Sequence, residues 1–176
     1  DRKYSYVEQN NQPDFAFLQT RCILESAASL VYDGGLVVYN EPYLVNQQPA
    51  DTIQITPANE FTYRRRELYG AAEITNGTLT GVFSAPSGDG QTLKRLLSVP
   101  MTDQQEADRF ARGILRDANR DAASATLWAS SLLRDYAPGS VVTLKTEGAA
   151  SWDGPAFVWR LRHDYVKSRS KIFLRR

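Results

Sequence analysis

Residues 14–40, DFAFLQTRCILESAASLVYDGGLVVYN, decide the first part of the fold. Apolar side chains recur there at helical spacing: Phe15, Leu18, Cys22 and Ile23. Pro13 and Asp14 suit the first turn of a helix. Two short apolar runs then flank an Asp-Gly-Gly turn at 33–35, which is typical of a β-hairpin. The segment therefore predicts a helix followed directly by a hairpin whose two strands pack onto it.

The chain carries a charge gradient along its length. Residues 1–60 contain 3 basic and 8 acidic side chains, whereas residues 160–176 contain 7 basic and 1 acidic. The residues between them contain 11 of each. This polarity suits head-to-tail contacts between copies or between neighbours in an assembly. It also fits a basic end that meets nucleic acid, or two faces that both meet water.

Composition removes several functional classes. The 176 residues are 42% hydrophobic and 23% charged, which is ordinary for a soluble globular protein. A single cysteine and a single histidine exclude an intrachain disulfide, a cysteine-rich zinc site and a relay of two imidazoles. No apolar run approaches the roughly 20 residues that span a bilayer, so no membrane partner is expected. The chain opens DRKYSYVEQ, without Met or a leader, which predicts a piece of a longer protein.

The remaining local signals predict strands and one long helix. Asn76-Gly77 joins the alternating runs 61–75 and 78–86 as a hairpin turn, because both turn residues accept positive φ. Residues 102–121 form an amphipathic helix with Thr102 and Gln105 as its capping box. Four further strands are expected at 124–133, 140–147, 155–165 and 170–175.

These elements predict an α+β protein. A small helix-plus-β-hairpin unit occupies residues 1–45, and a polar, proline-punctuated linker or edge segment follows at 46–60. An antiparallel β-barrel-like domain with one long helix, 102–121, then occupies residues 61–176.

His163 and the arginine run 64–66 are the first candidates for a functional site. In FVWRLRHDY, strand alternation places Trp159 and His163 on one face and Asp164 on the other, so we interpret His163 as a half-buried structural residue. Arg65 faces away from Arg64 and Arg66 and shares its face with Tyr63. A nucleic-acid reader requires cations interleaved with exposed aromatics on one face, so we predict no specific nucleic-acid recognition.

The other reactive side chains fit structural roles. Three aspartates precede glycine and are typical turn formers: Asp33, Asp89 and Asp153. Ser98 and Ser124 lack the context of a nucleophile, and Cys22 lies on the apolar stripe as an inert buried thiol. A hydrolase would require two carboxylates converging in a cleft. The sequence therefore predicts no enzyme and no catalytic, cofactor-binding or metal-binding residue.

The order of the elements resembles the late-control D family of phage tail hub proteins. The similar segments are the helix and hairpin in QPDFAFLQTRCILESAASLVYDGGLVVYNE, the strand with Tyr69-Gly70-Ala71, the helix DQQEADRFARGILRDANRDAAS, the strand entry LLRDYAPGSVVTL, and the closing pair SWDGPAFVWRLRHDYVKSRSKIFLRR. His163 belongs to that closing pattern as a structural residue. The sequence departs from the pattern at 160–162, where RLR replaces small apolar residues, and at 175–176.

The resemblance implies a structural protein of the virion, assembled in the bacterial cytoplasm. Such a baseplate hub is a homotrimeric ring of barrel-like domains between the tail tube and the central spike. The hub of type VI secretion spikes has a related architecture. The resemblance also implies that a first barrel precedes Asp1.

A β-rich module that binds carbohydrate or protein is the alternative function. It would present an exposed aromatic platform, for which Trp128, Trp152 and Trp159 are the candidates, although Trp159 is predicted to face inward.

Overall fold

A computed structural model of the protein describes residues 7–9, 11–32 and 34–176, with the backbone alone for Tyr32. Its α-helices are α1 (Asp14–Leu24), α2 (Glu41–Val45) and α3 (Gln104–Asn119). Its strands are β1 (Ala28–Tyr32), β2 (Gly35–Tyr39), β3 (Asp51–Ile55), β4 (Phe61–Arg65), β5 (Tyr69–Thr75), β6 (Thr80–Ser84), β7 (Gln91–Leu96), β8 (Ala123–Ala129), β9 (Val141–Thr146), β10 (Gly154–Asp164) and β11 (Arg169–Arg175).

The strands form three sheets. β1 and β2 make a two-stranded hairpin, and β6, β5 and β7 make a three-stranded sheet in that order. The largest sheet has the order β3-β9-β10-β11-β8-β4. The sheets curl and include a half-barrel. The α+β class is therefore confirmed, although the β3–β9 and β5–β7 pairs are parallel.

The long helix is built as its sequence pattern predicts and packs on the three-stranded sheet. Its apolar stripe is buried: Ala107, Phe110, Ala111, Ile114 and Leu115. The predicted capping pair was one residue out of register. Asp103 is the N-cap and accepts from the Glu106 N–H at 2.8 Å, while the buried Glu106 carboxylate accepts from the N–H and hydroxyl of Thr102. Asp caps as well as a hydroxyl residue and adds negative charge at the helix start.

A second core lies on one face of the six-stranded sheet. Its fully buried side chains are Leu127, Val142, Leu144, Val158, Ile172 and Leu174, joined by Trp152 from the 3₁₀ turn Ala150–Trp152. These residues alternate along β8, β9 and β11, as expected for strands with one buried face. The opposite face of this sheet therefore presents the intervening side chains.

Helix α1 touches α3 through the main chain. A Cβ added to Gly113 would lie 2.2 Å from the carbonyl oxygen of Ile23. Glycine therefore permits a close approach, and the carboxyl end of α1 is buried, with Leu24 in the same core as Phe110. The amino end of α1 is more open, since Phe15 is 44% exposed. Of the predicted stripe, Cys22 is buried as expected.

The region 61–75 does not form the single hairpin arm that its alternation predicts. β4 ends at Arg65 and pairs with β8, whereas β5 starts at Tyr69 and pairs with β6 and β7. The chain thus changes sheets between these strands. The hairpin at Asn76-Gly77 is confirmed, but its loop spans 76–79 and Gly77 alone of the two turn residues has a positive φ, of 89°, so the predicted two-residue turn does not form. The helix predicted at 102–121 and the four strands predicted after it also form within a few residues of their predicted bounds.

Further predictions concern the amino terminus, the hairpin turn and the division into units. Residues 3–9, KYSYVEQ, alternate as in a strand, but they lie mostly outside the described residues, and Val7–Gln9 form no strand. Asp33 is also outside the described residues, although the strands that flank it pair as expected. β3 lies within the predicted segment 46–60 and forms an edge of the large sheet. The division into units at 1–45, 46–60 and 61–176 stays a prediction.

Candidate interaction surfaces

The β1–β2 hairpin presents an apolar face. Val31 pairs directly with Leu36, and Ser29 pairs with Val38, so these four side chains share one side of the ribbon. Val31, Leu36 and Val38 are 66%, 57% and 52% exposed. Contiguous exposed apolar side chains mark sites of contact with other molecules. We refer to Val31, Leu36 and Val38 as the hairpin face.

The prediction that both hairpin strands pack onto α1 is correct for β1, which contacts that helix, and wrong for β2, whose residues are mostly exposed. The buried end of that helix, including Leu24, is directed at α3, where Gly113 lets it approach closely. The apolar alternation of the hairpin predicts side chains that are buried against the helix. In the structure the hairpin face is a surface.

A buried ion cluster joins α2 to α3 and the large sheet. Asn40 caps α2 by accepting from the Tyr43 N–H at 3.1 Å, and this start brings the Glu41 side chain inward, where it is 5% exposed. The Glu41 carboxylate lies 3.0 Å from Nε of Arg120 and 3.2 Å from Nη1 of Arg175. Arg175 also donates to Asp121 at 2.7 Å.

The alignment within this cluster is uneven. The Glu41 carboxylate and the Arg120 guanidinium are close. The two atoms that meet, Oε2 of Glu41 and Nε of Arg120, are not oriented to form a hydrogen bond. The Glu41–Arg175 contact does have that geometry. Arg120 is also 3.3 Å from Asp117. Each arginine thus has a second carboxylate, and we interpret the cluster as a joint between three elements.

A cavity of about 550 Å³ opens beside the cluster and is lined by Arg116, Phe157 and Arg176 among others. Burial raises the pKa of Tyr39, and the Glu41 carboxylate raises it further, so the phenol stays neutral. Burial lowers the pKa of Arg116, an effect that Glu41 opposes. The carboxylates of Glu41, Asp117 and Asp121 neutralise Arg120 and Arg175 within the cluster.

The arginine run 64–66 lines a neighbouring cavity of about 540 Å³. Alternation along β4 is as predicted at its centre. Tyr63 turns toward the core side, with its ring 6.1 Å from that of Trp152, whereas Arg64 donates to Ser124 Oγ at 2.8 Å on the opposite face. The run is therefore divided between two sides of the sheet.

His163 lies on the core side of β10 and is half-buried. Its Nδ1 is 2.8 Å from Oγ of Ser170, which is 0% exposed and also accepts from the Leu133 N–H at 2.9 Å. The serine hydroxyl donates to Nδ1 in the arrangement that satisfies both groups, which leaves the imidazole proton on Nε2. Asp164 faces the turn and accepts from the Lys167 N–H. A substrate cannot reach the oxygen of Ser170, so this pair supports a structural role.

The three tryptophans do not form a shared aromatic platform. Trp152 is 3% exposed and packs edge-on against Phe61. The guanidinium of Arg169 covers Trp128 at 4.0 Å, and that of Arg175 covers Trp159 at 4.3 Å. Each partly exposed indole ring is thus already covered by a cation of the same chain.

The prediction that Trp159 shares the inward face of His163 is wrong. The register between β10 and β11 shifts between Val158 and Arg160, which leaves Trp159 as an extra residue in the strand. A β-bulge of this kind reverses the alternation that follows it. Val158 and Leu161 therefore both contact the core, while Trp159 faces outward against Phe173 at 5.7 Å.

The other predicted residues lie in turns or in packing positions. Asp153 accepts from the N–H and hydroxyl of Thr146, and these hydrogen bonds lower the pKa of its carboxyl. Asp89 lies in a loop whose backbone contacts Gly70. Ser98 is exposed, next to the smaller cavity that it lines with Arg21. Cys22 is a free, buried thiol.

Sequence reasoning missed Glu41, although a signal was present. Asn40, Glu41 and Pro42 match the N-cap and first turn of a helix, although they follow directly on a predicted strand. Among the described residues, no group of acidic, histidine and cysteine side chains is arranged to hold a metal ion. Nor is any described helix both long and apolar enough to cross a membrane.

No protein-family model matches this sequence, and no curated protein matches it. Its fold is similar to that of the tail protein from Neisseria meningitidis MC58, with a TM-score of 0.68 and 12% identity, over 97% of this chain and 56% of that one. The 43 kDa tail protein of prophage MuSo2 from Shewanella oneidensis matches with a TM-score of 0.64 and 12% identity, over 97% and 53%. A chain from the virion of a native gene transfer agent particle matches with a TM-score of 0.65 and 15% identity, over 97% and 40%.

This chain spans about half the length of the first two of these proteins. The likeness extends over nearly all of its own residues, so its arrangement of helices and sheets as a whole is similar to that of these two tail proteins.

Proposed function

We propose that this chain is a structural component of a phage or prophage tail, forming part of a baseplate hub ring that joins the tail tube to the central spike. The observation that carries the proposal is the tail-protein fold over 97% of the chain. The segments that resemble the late-control D family support the hub assignment within that class. The role is mechanical, without a catalytic step.

The hairpin face supports contact between copies. Its three apolar side chains are exposed in the single chain, and their burial in an assembly would be favourable by about 25 cal/mol per Å². The outer strands β3 and β4 each pair on one side only within the described residues. Closed rings use such surfaces in repeated, identical contacts. We infer a homotrimer of the full-length protein, bordered by tail-tube and spike proteins.

The assembled protein belongs to the virion in this proposal and is put together in the bacterial cytoplasm. A type VI secretion spike hub is the alternative with a related architecture. Mass spectrometry of purified phage-like particles distinguishes the two, because a tail hub co-purifies with tube and capsid proteins, whereas a secretion hub does not.

Sedimentation equilibrium of the complete gene product tests the ring. We expect the mass of three copies and, by negative-stain electron microscopy, a ring with a central opening. A strictly monomeric complete protein that binds a glycan would overturn the hub assignment.

Leu36→Lys tests the hairpin face in that same complete protein. Placing a charge in a buried contact between copies should shift the mass toward the monomer without changing the unfolding midpoint of a single copy. Leu96→Lys is the matched control, because Leu96 is 78% exposed on a different sheet. If both variants assemble equally, the hairpin face is not a contact between copies.

A further inference from the structure

The outward face of the large sheet carries a group of cations on β10 and β11. Ile172 is buried in the core, so its neighbours Lys171 and Phe173 face outward. Arg162 lies directly opposite Lys171, and Arg160 lies opposite Phe173. We call Arg160, Arg162 and Lys171 the cationic face.

The bulge at Trp159 is what brings the two arginines to this side. Before it, Val158 of β10 faces the core; after it, Leu161 does. Arg160 and Arg162 therefore alternate outward with Leu161 between them. The three cations lie on two adjacent strands, and the two arginines are about 6.8 Å apart along β10 at the usual rise of a strand.

Aromatic rings hold these cations in place. The Arg160 guanidinium lies 5.1 Å from the centre of the Phe173 ring. The Lys171 ammonium lies 5.4 Å from the Trp128 ring and 5.5 Å from the Phe173 ring. Such contacts position a cation while leaving its N–H donors free to bind an anion. The same contacts cover the rings, so the face offers charge and not a surface for stacking bases.

Within the described part of the chain, no carboxylate neutralises the cationic face. None of its three cations forms a salt bridge with any residue that the structure describes. By contrast, neighbouring Arg169 pairs with Glu60 at 3.2 Å. Like charges directly opposite each other on antiparallel strands destabilise a sheet, so the Arg162–Lys171 pair costs stability in the isolated chain. A bound anion would remove that cost.

We propose that the cationic face binds the phosphate backbone of double-stranded DNA without reading its sequence. The donors are cations held in place on two adjacent strands. The aromatic rings beneath them are covered and cannot stack on an unpaired base, which favours a duplex over a single strand. Backbone contacts of this type provide affinity and carry no base specificity. The proposal is independent of the hub assignment.

An acidic surface on a second copy of the chain is a weaker fit. Three carboxylates of the acidic amino-terminal part are already paired with arginines within the molecule: Glu25 with Arg109, Glu41 with Arg120 and Glu60 with Arg169. These pairs reduce the negative charge that this part of the chain offers to a second copy.

Fluorescence anisotropy with a short labelled DNA duplex, over a series of salt concentrations, tests the proposal. Three phosphate contacts predict a slope of log K against log salt of about −2.7, and a Kd at physiological salt of about 10⁻⁴ to 10⁻⁶ M. An unrelated duplex sequence should bind equally well. Absence of binding at low salt would overturn the proposal.

Two variants assign the binding to this face. Arg162→Ala with Lys171→Met removes two of the charges while keeping an apolar stem over Trp128, and the slope should fall in magnitude by about 1.8. Arg95→Ala with Arg134→Ala removes the same net charge at two exposed positions elsewhere and should leave the slope unchanged. If the slope fell equally in both double variants, DNA binding would depend only on the net charge of the protein. That result would overturn the assignment of binding to the cationic face.

Arg162→Glu separates binding from folding. A glutamate opposite Lys171 replaces a repulsive pair by an attractive one, so the melting temperature should rise while DNA binding falls at least tenfold. Poly-glutamate is the competing probe: if it binds as tightly as DNA, or DNA does not bind and it does, the occupant is an acidic protein segment and the proposal is wrong.

Discussion

The Cα of Gly113 in α3 lies against the carbonyl oxygen of Ile23 in α1, so that a Cβ there would be 2.2 Å from that oxygen. Main chain therefore meets main chain where α1 joins α3. No other residue type fits this position without moving one helix.

Gly113→Ala should destabilise the protein by about 2 kcal/mol. Overpacking costs about 1–3 kcal/mol, which outweighs the gain of up to about 1 kcal/mol in helix propensity. Urea unfolding measures the change. Gln105→Ala, at an exposed position in the same helix, should change stability by less than about 0.5 kcal/mol. A stabilised Gly113→Ala variant would show that the helices are further apart than described.

Glu41→Gln should lower the free energy of unfolding by about 3 kcal/mol, because it leaves the partly buried Arg120 and Arg175 short of a carboxylate. Thermal and urea unfolding measure the loss, and Glu147→Gln at an exposed position is the control. Because both arginines keep an aspartate partner, a loss well above this value would mean that α2 itself detaches. No loss would contradict the role of Glu41 as a joint.

Tyr136→Phe should alter the pH dependence of stability at both the acidic and the alkaline end of the pH range. The Tyr136 hydroxyl donates to Asp51, and this bond lowers the pKa of the Asp51 carboxyl below its ordinary value of 3.8. Since the unfolded chain then binds the proton more readily, this contribution is present above pH 3.8 and lost as pH falls below it. Burial, together with the same bond, raises the pKa of Tyr136 from 10.0 to about 12.

A raised tyrosine pKa means that the folded chain retains the proton more strongly, so this contribution is present below pH 10.0 and lost as pH rises toward about 12. We expect Tyr136→Phe to weaken both dependences in urea unfolding across the pH range. NMR titration should show the pKa of Asp51 closer to 3.8. Tyr43→Phe, 67% exposed, is the control; identical pH profiles for all three proteins would contradict the coupling.

His163→Ala should reduce stability by about 1–2 kcal/mol, because the buried hydroxyl of Ser170 loses its acceptor. Differential scanning calorimetry measures the change, with Lys167→Ala in the exposed turn as the control. Intact stability combined with loss of a function of the complete protein would show that His163 is a site residue after all.

Local signals in the sequence were sufficient for much of the fold. The hairpin at Asn76-Gly77, the helix that carries Phe110, and the strand around Ile172 each follow from residue types within a short window. The burial of Cys22 also follows from its place on the apolar stripe of α1.

Features that depend on distant partners could not be predicted in this way. The bulge at Trp159 arises from the register of β10 against β11, and nothing in the sequence of either strand specifies which residue is extra. The bulge also places Trp159 on the same outward face as Arg160, which strand alternation alone excludes. The break after Arg65 likewise depends on two different sheets competing for one stretch of chain.

The last strand of the sequence, β11, lies in the middle of the six-stranded sheet, hydrogen-bonded to β10 on one side and β8 on the other. During translation β8 is made well before this strand, so the edge of β8 that pairs with β11 stays open until the segment up to Arg175 leaves the ribosome. The core around Phe110 needs only earlier residues and can form first. Synthesis of this chain should therefore pass through a half-folded stage whose open strand edges invite aggregation, and a chaperone that binds extended apolar segments would act at that moment.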